Sequence, residues 1–230
     1  MTVEIKTITL TNRMGPVNCY LLQTEKGYVL VDTGWKHCRE ELVQELLSAG
    51  CNEDNLQLIF LTHGDFDHIG NCRYISDTFQ AKVAMHWSDL GMAQNGDMFF
   101  NRKAGGFFVR FLAKLMFRLP LEDQFTPELQ LHEDFPLSDY GIDGKVLHIP
   151  GHSLGSVGLL LSDGWLFGGD LLENKKKPQL SSIMDDKDMA HSSIELLKTL
   201  NISTVFPGHG EPFEMDDFLQ YYNTSPGQSD

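Results

Sequence analysis

The first half of the chain alternates short apolar runs with amphipathic stretches. Residues that alternate in polarity, or that are apolar throughout a short run, predict β-strands over residues 3–10, 17–23, 28–31, 56–61 and 81–86. Apolar residues at helical spacing predict two helices, over residues 38–49 and 69–79. Because strands and helices follow one another along the chain, this half predicts a layered α/β domain.

Residues 88–140 do not continue this alternation, and they are predicted to form an insertion or cap. Within them, residues 107–119 have the apolar spacing of a helix, with basic side chains four residues apart at Arg110, Lys114 and Arg118. The simplest interpretation is an amphipathic helix with a solvated basic face. The alternatives for the basic stretch 102–118 are a lid, a homodimer contact or a membrane-surface patch. Of these, a lid or a dimer contact is favoured, because the apolar side is too broad to be left exposed.

The last third of the chain returns to regular elements. Strands are predicted over residues 145–150, 159–161, 165–167 and 204–206, and helices over residues 188–200 and 216–222. Ser162-Asp163-Gly164 is typical of a hairpin turn. Since the chain has no internal repeat, residues 1–230 are predicted to form a single domain.

Composition narrows the classes of function. The chain of 230 residues has a formal net charge of −14, which argues against nucleic-acid binding. The first ten residues have the pattern of a strand rather than of a signal peptide, and no apolar run approaches the length of a membrane span. Four cysteines without a Cys-x-x-Cys pair indicate unpaired thiols rather than a disulfide framework. We therefore expect a cytoplasmic protein with no nucleic-acid or membrane partner.

The densest cluster of side chains able to bind a metal follows the predicted strand 56–61. Four side chains able to bind a metal lie within six positions, namely His63, Asp65, Asp67 and His68. Charged groups at the end of a buried strand need partners, because an unpaired buried charge is costly. A cation would be the simplest partner, and a mixture of imidazole and carboxylate suits zinc, iron or manganese better than calcium.

Three further strand ends share one pattern, in which an apolar strand leads into glycine and then a potential ligand. They are Pro150-Gly151-His152, Gly168-Gly169-Asp170 and Pro207-Gly208-His209. Glycine allows close backbone approach and unusual dihedral angles where a strand ends. Each site alone would be a weak signal, but four such strand ends together indicate one shared centre.

The set His63-x-Asp65-x-Asp67-His68, His152, Asp170 and His209 resembles the metallo-β-lactamase-fold hydrolase superfamily. The resemblance implies an αββα four-layer sandwich with two divalent metal ions between the sheet edges. One ion would be held by His63, Asp65 and His152 and the other by Asp67, His68 and His209, with Asp170 bridging them. Asp32, in Val31-Asp32-Thr33-Gly34, matches the early strand-end aspartate of that superfamily and would orient the ligands.

One position departs from the superfamily's usual His-x-His-x-Asp-His pattern, because Asp65 stands where the middle histidine belongs. Three carboxylates and one bridging hydroxide would then neutralise two divalent ions, whereas the usual pattern leaves one net positive charge. A neutral site is expected to attract anions less and to activate water less strongly. Zinc is the first choice of metal, and the extra carboxylate makes iron or manganese an alternative.

The function that the resemblance implies is hydrolysis by a metal-activated hydroxide, with a small ester, thioester or lactone as the substrate. Asp67 and Asp32 are the candidate catalytic residues, although Asp67 is first of all a ligand. Phosphodiester hydrolysis and iron-dependent redox chemistry, as an oxygenase or oxygen reductase, are the alternatives. A β-lactamase and a non-catalytic metal-binding module rank lower. His191 is a candidate for substrate contact or a surface helix residue, and His86, His132 and His148 are assigned to structure.

Overall fold

The computed structural model describes residues 3–102 and 118–222, which form two β-sheets packed face to face between outer helices. The first sheet has six strands in chain order, and its strands are β1 Glu4–Asn12, β2 Gly15–Thr24, β3 Gly27–Val31, β4 Leu56–Phe60, β5 Lys82–Met85 and β6 Leu129–Gln130. The first three strands pair antiparallel, and β3 to β6 pair parallel.

The second sheet has five strands in the order β13-β12-β9-β8-β7. Its strands are β7 Gly144–His148, β8 Val157–Leu161, β9 Trp165–Gly169, β12 Thr204–Pro207 and β13 Phe213–Glu214. Strands β9 and β12 pair parallel, so both leave the sheet at the same edge. A separate two-stranded sheet joins β10, Leu172–Glu173, to β11, Gln179–Leu180.

Helices cover both outer faces of the sheets. The α-helices among the described residues are α1 Arg39–Ser48, α2 Phe66–Ile69, α3 Cys72–Phe79, α4 Leu90–Asn95, α5 Lys187–Lys198 and α6 Met215–Tyr222. In the described part of the chain, no helix is both long enough and apolar enough to cross a membrane.

Three apolar cores separate four layers. The side chains of β2 alternate between two of them, since Cys19 and Leu21 join α1 and α3 on one face whereas Tyr20 and Leu22 join the second sheet. A third core packs the outer face of the second sheet against α5 and α6. The predicted α/β class and its αββα sandwich are therefore confirmed.

The described residues of the predicted insertion are built into these layers. Strand β6 extends the first sheet, and Leu119 and Phe125 join the core beneath α3. Leu131 and Leu137 join the core between the two sheets. Most of the helix predicted over 107–119 lies outside the described residues. Its end is described and the prediction is wrong there, because Arg118 forms an isolated β-bridge with Asp97.

The helix predicted over residues 69–79 begins later, at Cys72. A separate helical turn, α2, precedes it. Between the two, the Asn71 side chain donates to the carbonyl oxygens of Thr33 and Trp35. These bonds hold the break in the helix against the loop that follows β3.

Candidate metal centre

The candidate ligands lie where strands of the two sheets end at the same side of the sandwich. Strands β3 and β4 are parallel and lead into Asp32 and into the loop that contains His63. Strands β9 and β12 are parallel and lead into Asp170 and His209. His152 follows β7 across a short loop. Parallel pairing thus brings strand ends that are distant in sequence to one edge.

The seven predicted ligands form two neighbouring groups. Around Asp170, Nε2 of His68 lies 3.3 Å from Oδ1 and Nε2 of His209 lies 3.2 Å from Oδ2. Nε2 of His209 is also 3.2 Å from Oδ2 of Asp67. In the other group, Oδ2 of Asp65 lies 3.0 Å from Nε2 of His152 and 3.8 Å from Nε2 of His63. The predicted residues are therefore brought together, while their roles as ligands stay a prediction.

All four imidazoles turn Nε2 toward the centre because Nδ1 is held from outside. Nδ1 of His152 donates to the carbonyl oxygen of Ile183 at 2.8 Å, and Nδ1 of His209 donates to that of Pro16 at 2.6 Å. In both rings this leaves the Nε2 lone pair for a metal. The anchors of His63 and His68 lie on the Asp32 side of the centre.

Asp32 organises that side with three short hydrogen bonds. Its carboxylate accepts from the backbone N–H of Thr62 at 2.8 Å, from the Thr62 hydroxyl at 2.7 Å and from Nδ1 of His68 at 2.8 Å. Since the hydroxyl donates to Asp32, its oxygen accepts from Nδ1 of His63 at 3.0 Å. Asp32 adopts a left-handed backbone with φ 59°, an uncommon conformation that clusters at functional sites.

The arrangement fits metal ions. Nε2 of His63, Nε2 of His68 and Oδ1 of Asp170 are buried and have no hydrogen-bond partner in the described structure. Such orphaned polar atoms are costly, and bound cations would satisfy them. Three sets of mutually close donor atoms lie here, namely Asp32, His63 and His68; His63, His152 and Asp170; and Asp67, His68 and His209. The donors are imidazole and carboxylate, as zinc, iron and manganese sites require.

Buried charges shift the titration of these groups in opposite directions. Burial alone would lower the pKa of His209, but Asp170 and Asp67 raise it to about 10. Burial would likewise lower the pKa of His68, and the surrounding carboxylates raise it well above its ordinary value. The pKa of His63 is lowered by burial and by its neighbouring histidines. Protons therefore compete with metal at His68 and His209, and less at His63.

Arg102 is a site residue that the sequence interpretation did not identify. Its guanidinium is buried, and Nη2 lies 2.6 Å from Oδ1 of Asp65 and 3.3 Å from Nε2 of His152. Burial alone would raise the pKa of Asp65, but Arg102 and His152 hold it well below its ordinary value. Arg102 adds a positive charge beside Asp65 that the sequence-based count omitted. Asp65 with Arg102 carries the same net charge as a neutral histidine.

Asp89 is a second residue that sequence reasoning missed. Its buried carboxylate accepts from the backbone N–H groups of Gly64 and Gly155 and from the Ser153 hydroxyl, at 3.0, 2.8 and 2.6 Å. Gly64 separates two predicted ligands, and Ser153 follows another. Asp89 therefore ties together the two loops that present the His63 group.

A cavity of about 320 Å³ opens onto the centre. Its apolar walls are contributed by Met14, Trp35, Phe66, Met98, Phe99 and Ile183. Its polar side includes Asp67, His152, Asp170, His209, Arg102 and Lys175. Because Met98, Phe99 and Arg102 come from the predicted insertion, its described part lies beside the site.

Four other histidines that the sequence analysis considered lie outside this cluster. Nδ1 of His191 is 2.6 Å from the Tyr222 hydroxyl, which places the residue between α5 and α6. His86 and His148 stack on each other with ring centroids 4.4 Å apart. His132 is exposed beside Phe135. None of these four lines the cavity described above.

Comparison with known proteins identifies a family and several relatives of this chain. The sequence model of the family described as the metallo-beta-lactamase superfamily matches residues 12–209. The beta-lactamase-like protein 2 homolog of Drosophila melanogaster is 25% identical over 201 residues, which are 86% of this chain and 59% of that protein. The chain thus spans less than two thirds of that relative.

Two further relatives match over nearly their full length. Hydroxyacylglutathione hydrolase GloC of Haemophilus influenzae is 26% identical over 216 residues, which are 91% of each protein. The crystal structure of TTHA1623 in a di-iron-bound form superposes with a TM-score of 0.71 at 27% identity, covering 96% of this chain and 98% of that one.

Proposed function

The chain belongs to the metallo-β-lactamase superfamily, and from that premise we propose that it hydrolyses a small ester, thioester or lactone at a centre of two metal ions. The observation that carries this proposal is the shared orientation of four imidazoles. Each Nδ1 is held by a residue outside the centre and each Nε2 faces inward. Such outer bonds fix the ring orientation of metal-ligating histidines.

The proposed ligands are Asp67, His68 and His209 for one ion, and His63, Asp65 and His152 for the other, with Asp170 between them. When bound, the ions would supply water of lowered pKa and polarise the substrate carbonyl. Asp32 orients His68 directly and His63 through the Thr62 hydroxyl. Asp67 lines the cavity and offers Oδ2 as the atom that could take a proton from the attacking water.

The cavity supports a substrate with an apolar part next to the bond that is cleaved. Its volume of about 320 Å³ suits a small molecule, and Trp35, Phe66 and Phe99 supply apolar contact area. The relative named as a hydroxyacylglutathione hydrolase favours acyl-transfer chemistry within this range. Esters, thioesters and lactones all present a carbonyl that a metal could polarise.

A second candidate function is redox chemistry at iron. It is favoured by the relative crystallised in a di-iron-bound form and by the additional carboxylate of Asp65. The nature of the native metal separates the candidates. Iron with visible absorption and oxygen consumption would favour redox chemistry, whereas colourless zinc or manganese would favour hydrolysis.

The test of hydrolysis is a panel of aryl esters, acyl thioesters and lactones, assayed after separate loading with zinc, manganese and iron. We expect turnover of at least one class, its loss on chelation and its loss in H68A. The exposed H132A variant is the matched control, because His132 lies away from the cavity. Metal-loaded protein that is inert across the whole panel would contradict the proposal.

A further inference from the structure

The two candidate metal positions differ in the partners that their donor atoms already have. Nε2 of His152 has Oδ2 of Asp65 at 3.0 Å and Nη2 of Arg102 at 3.3 Å. In the other position, Nε2 of His209 faces the carboxylates of Asp67 and Asp170, each at 3.2 Å. Among the described residues, a guanidinium therefore contacts a donor atom only in the His63–Asp65–His152 position.

The charged side chains around the two candidate metal positions also differ. Arginine remains protonated at all physiological pH values, so Arg102 places a permanent positive charge in the His63–Asp65–His152 position. Among the described contacts, Asp67 and Asp170 pair only with histidines, and no lysine or arginine joins them. A cation entering the Asp67–His68–His209 position therefore meets carboxylates without a competing guanidinium.

We propose that Arg102 is an internal competitor for metal at the His63–Asp65–His152 position. The Asp67–His68–His209 position, with Asp170, then fills first. The other position fills only when Arg102 withdraws from His152. This inference rests on the dinuclear centre of the proposed function and adds an order of filling and the residue that sets it.

The competition follows from geometry. A metal ligated by His152 would lie on the Nε2 side of the ring, at about 2.0–2.1 Å from that atom. Nη2 of Arg102 already lies on this side, at 3.3 Å. Arg102 also lines the cavity, so the guanidinium has adjacent space into which it can move.

The experiment is a metal titration of the whole chain by calorimetry, with zinc and with manganese, and with bound metal counted by elemental analysis. The wild-type protein is expected to bind two ions in two resolved steps. R102M, which removes the charge, is expected to tighten the second step by at least about tenfold and to leave the first unchanged. R73M is the matched control, because Arg73 is an exposed arginine paired with Asp77 on α3.

Three further variants separate competition from simple anchoring of Asp65. R102K keeps the positive charge and should retain two resolved steps. D65H/R102M restores the family's usual ligand pattern at constant formal charge and should bind both ions tightly. D65H alone leaves Arg102 beside three histidines, and it should bind the second ion most weakly of all.

A readout independent of metal counting is the ¹⁵N signal of the Arg102 side chain. It should stay fixed during the first step and shift during the second. Thermal melts of the metal-free variants would show whether each one folds, and R102Q replaces R102M if that variant does not.

A second step that is unchanged or weakened in R102M would overturn the inference while leaving the proposed function intact. Titrations that behave as expected without any hydrolysis would instead remove the proposed function alone. No uptake of either metal by any variant would overturn both.

Discussion

The carboxylate of Asp32 lies 2.8 Å from Nδ1 of His68, although the two residues follow different strands of the first sheet. The contact exists because β3 and β4 are parallel and end at the same edge. It fixes the His68 tautomer with a proton on Nδ1, so the Nε2 lone pair faces the candidate centre. Asp32 is thus placed to orient a ligand without being a necessary ligand itself.

Replacing Asp32 with asparagine should therefore weaken metal binding without unfolding the loop. Asparagine tolerates the left-handed conformation found at φ 59°, but its amide nitrogen cannot accept from His68 or Thr62. We expect D32N to lose about 10- to 100-fold in metal affinity at the Asp67–His68–His209 position, measured by calorimetry. D54N, at an exposed aspartate, is the control. Equal affinities in D32N and D54N would refute the orienting role.

Gly208 offers a test that leaves every candidate ligand in place. A methyl group there would collide with Oδ1 of Asp170 and come within 2.7 Å of Cε1 of His68. We expect G208A to bind metal at least about tenfold more weakly, as judged by metal content after gel filtration. G168A is the matched control, since the nearest atom to a Cβ at that glycine is 3.8 Å away. Normal metal content in G208A would show that metal binding does not depend on the position of the Asp170 carboxylate.

The Asp89 network should be visible in stability. D89A leaves the N–H groups of Gly64 and Gly155 and the Ser153 hydroxyl without their acceptor. Bonds to a charged group contribute more than neutral ones, so we expect a loss of about 3 kcal/mol in the free energy of unfolding of the metal-free protein. S153A removes one of the three bonds and should cost about 1 kcal/mol. Urea denaturation measures both, and a D89A protein as stable as S153A would contradict this role.

The pH dependence follows from His209, whose pKa is raised to about 10. A raised pKa stabilises the metal-free fold below the unfolded value of about 6.5, and this contribution is lost as the pH rises toward the folded value. Metal needs the neutral imidazole, so metal affinity changes in the opposite sense and increases with pH.

Between about pH 6 and pH 9, metal binding should therefore release at least about one proton, and its affinity should rise about tenfold per pH unit. Calorimetry in buffers of different ionisation enthalpy measures the proton count directly. The rise in Tm caused by metal should grow over the same interval. A proton count of zero throughout would show that His209 is not a ligand.

Much of the fold could be predicted from the sequence, because its strands carry clear periodicity. The strand predicted at 28–31 lies at Gly27–Val31, and the one predicted at 56–61 lies at Leu56–Phe60. The break before Cys72 could not be predicted locally, since it depends on bonds from Asn71 to a distant loop. Residues 103–117, which include most of the helix predicted over 107–119, lie outside the described residues.

The candidate ligands were found because each stands beside a strand end and a glycine, which is a local signal. Arg102 has no such signal in the sequence. It is one of several basic residues in a segment that does not continue the alternation of strands and helices. A clue existed at Asp65, because a buried carboxylate in place of a histidine requires a compensating positive charge. The sequence could not identify which lysine or arginine supplies that charge, since the answer depends on tertiary packing.

The most direct test of the central claim is a crystal structure of the metal-loaded protein with anomalous diffraction recorded at the absorption edges of zinc, manganese and iron. We predict two anomalous peaks, one contacting Asp67, His68 and His209, the other contacting His63, Asp65 and His152, and Asp170 between them. The lack of an anomalous peak at either position, in crystals grown with excess metal, would contradict the account.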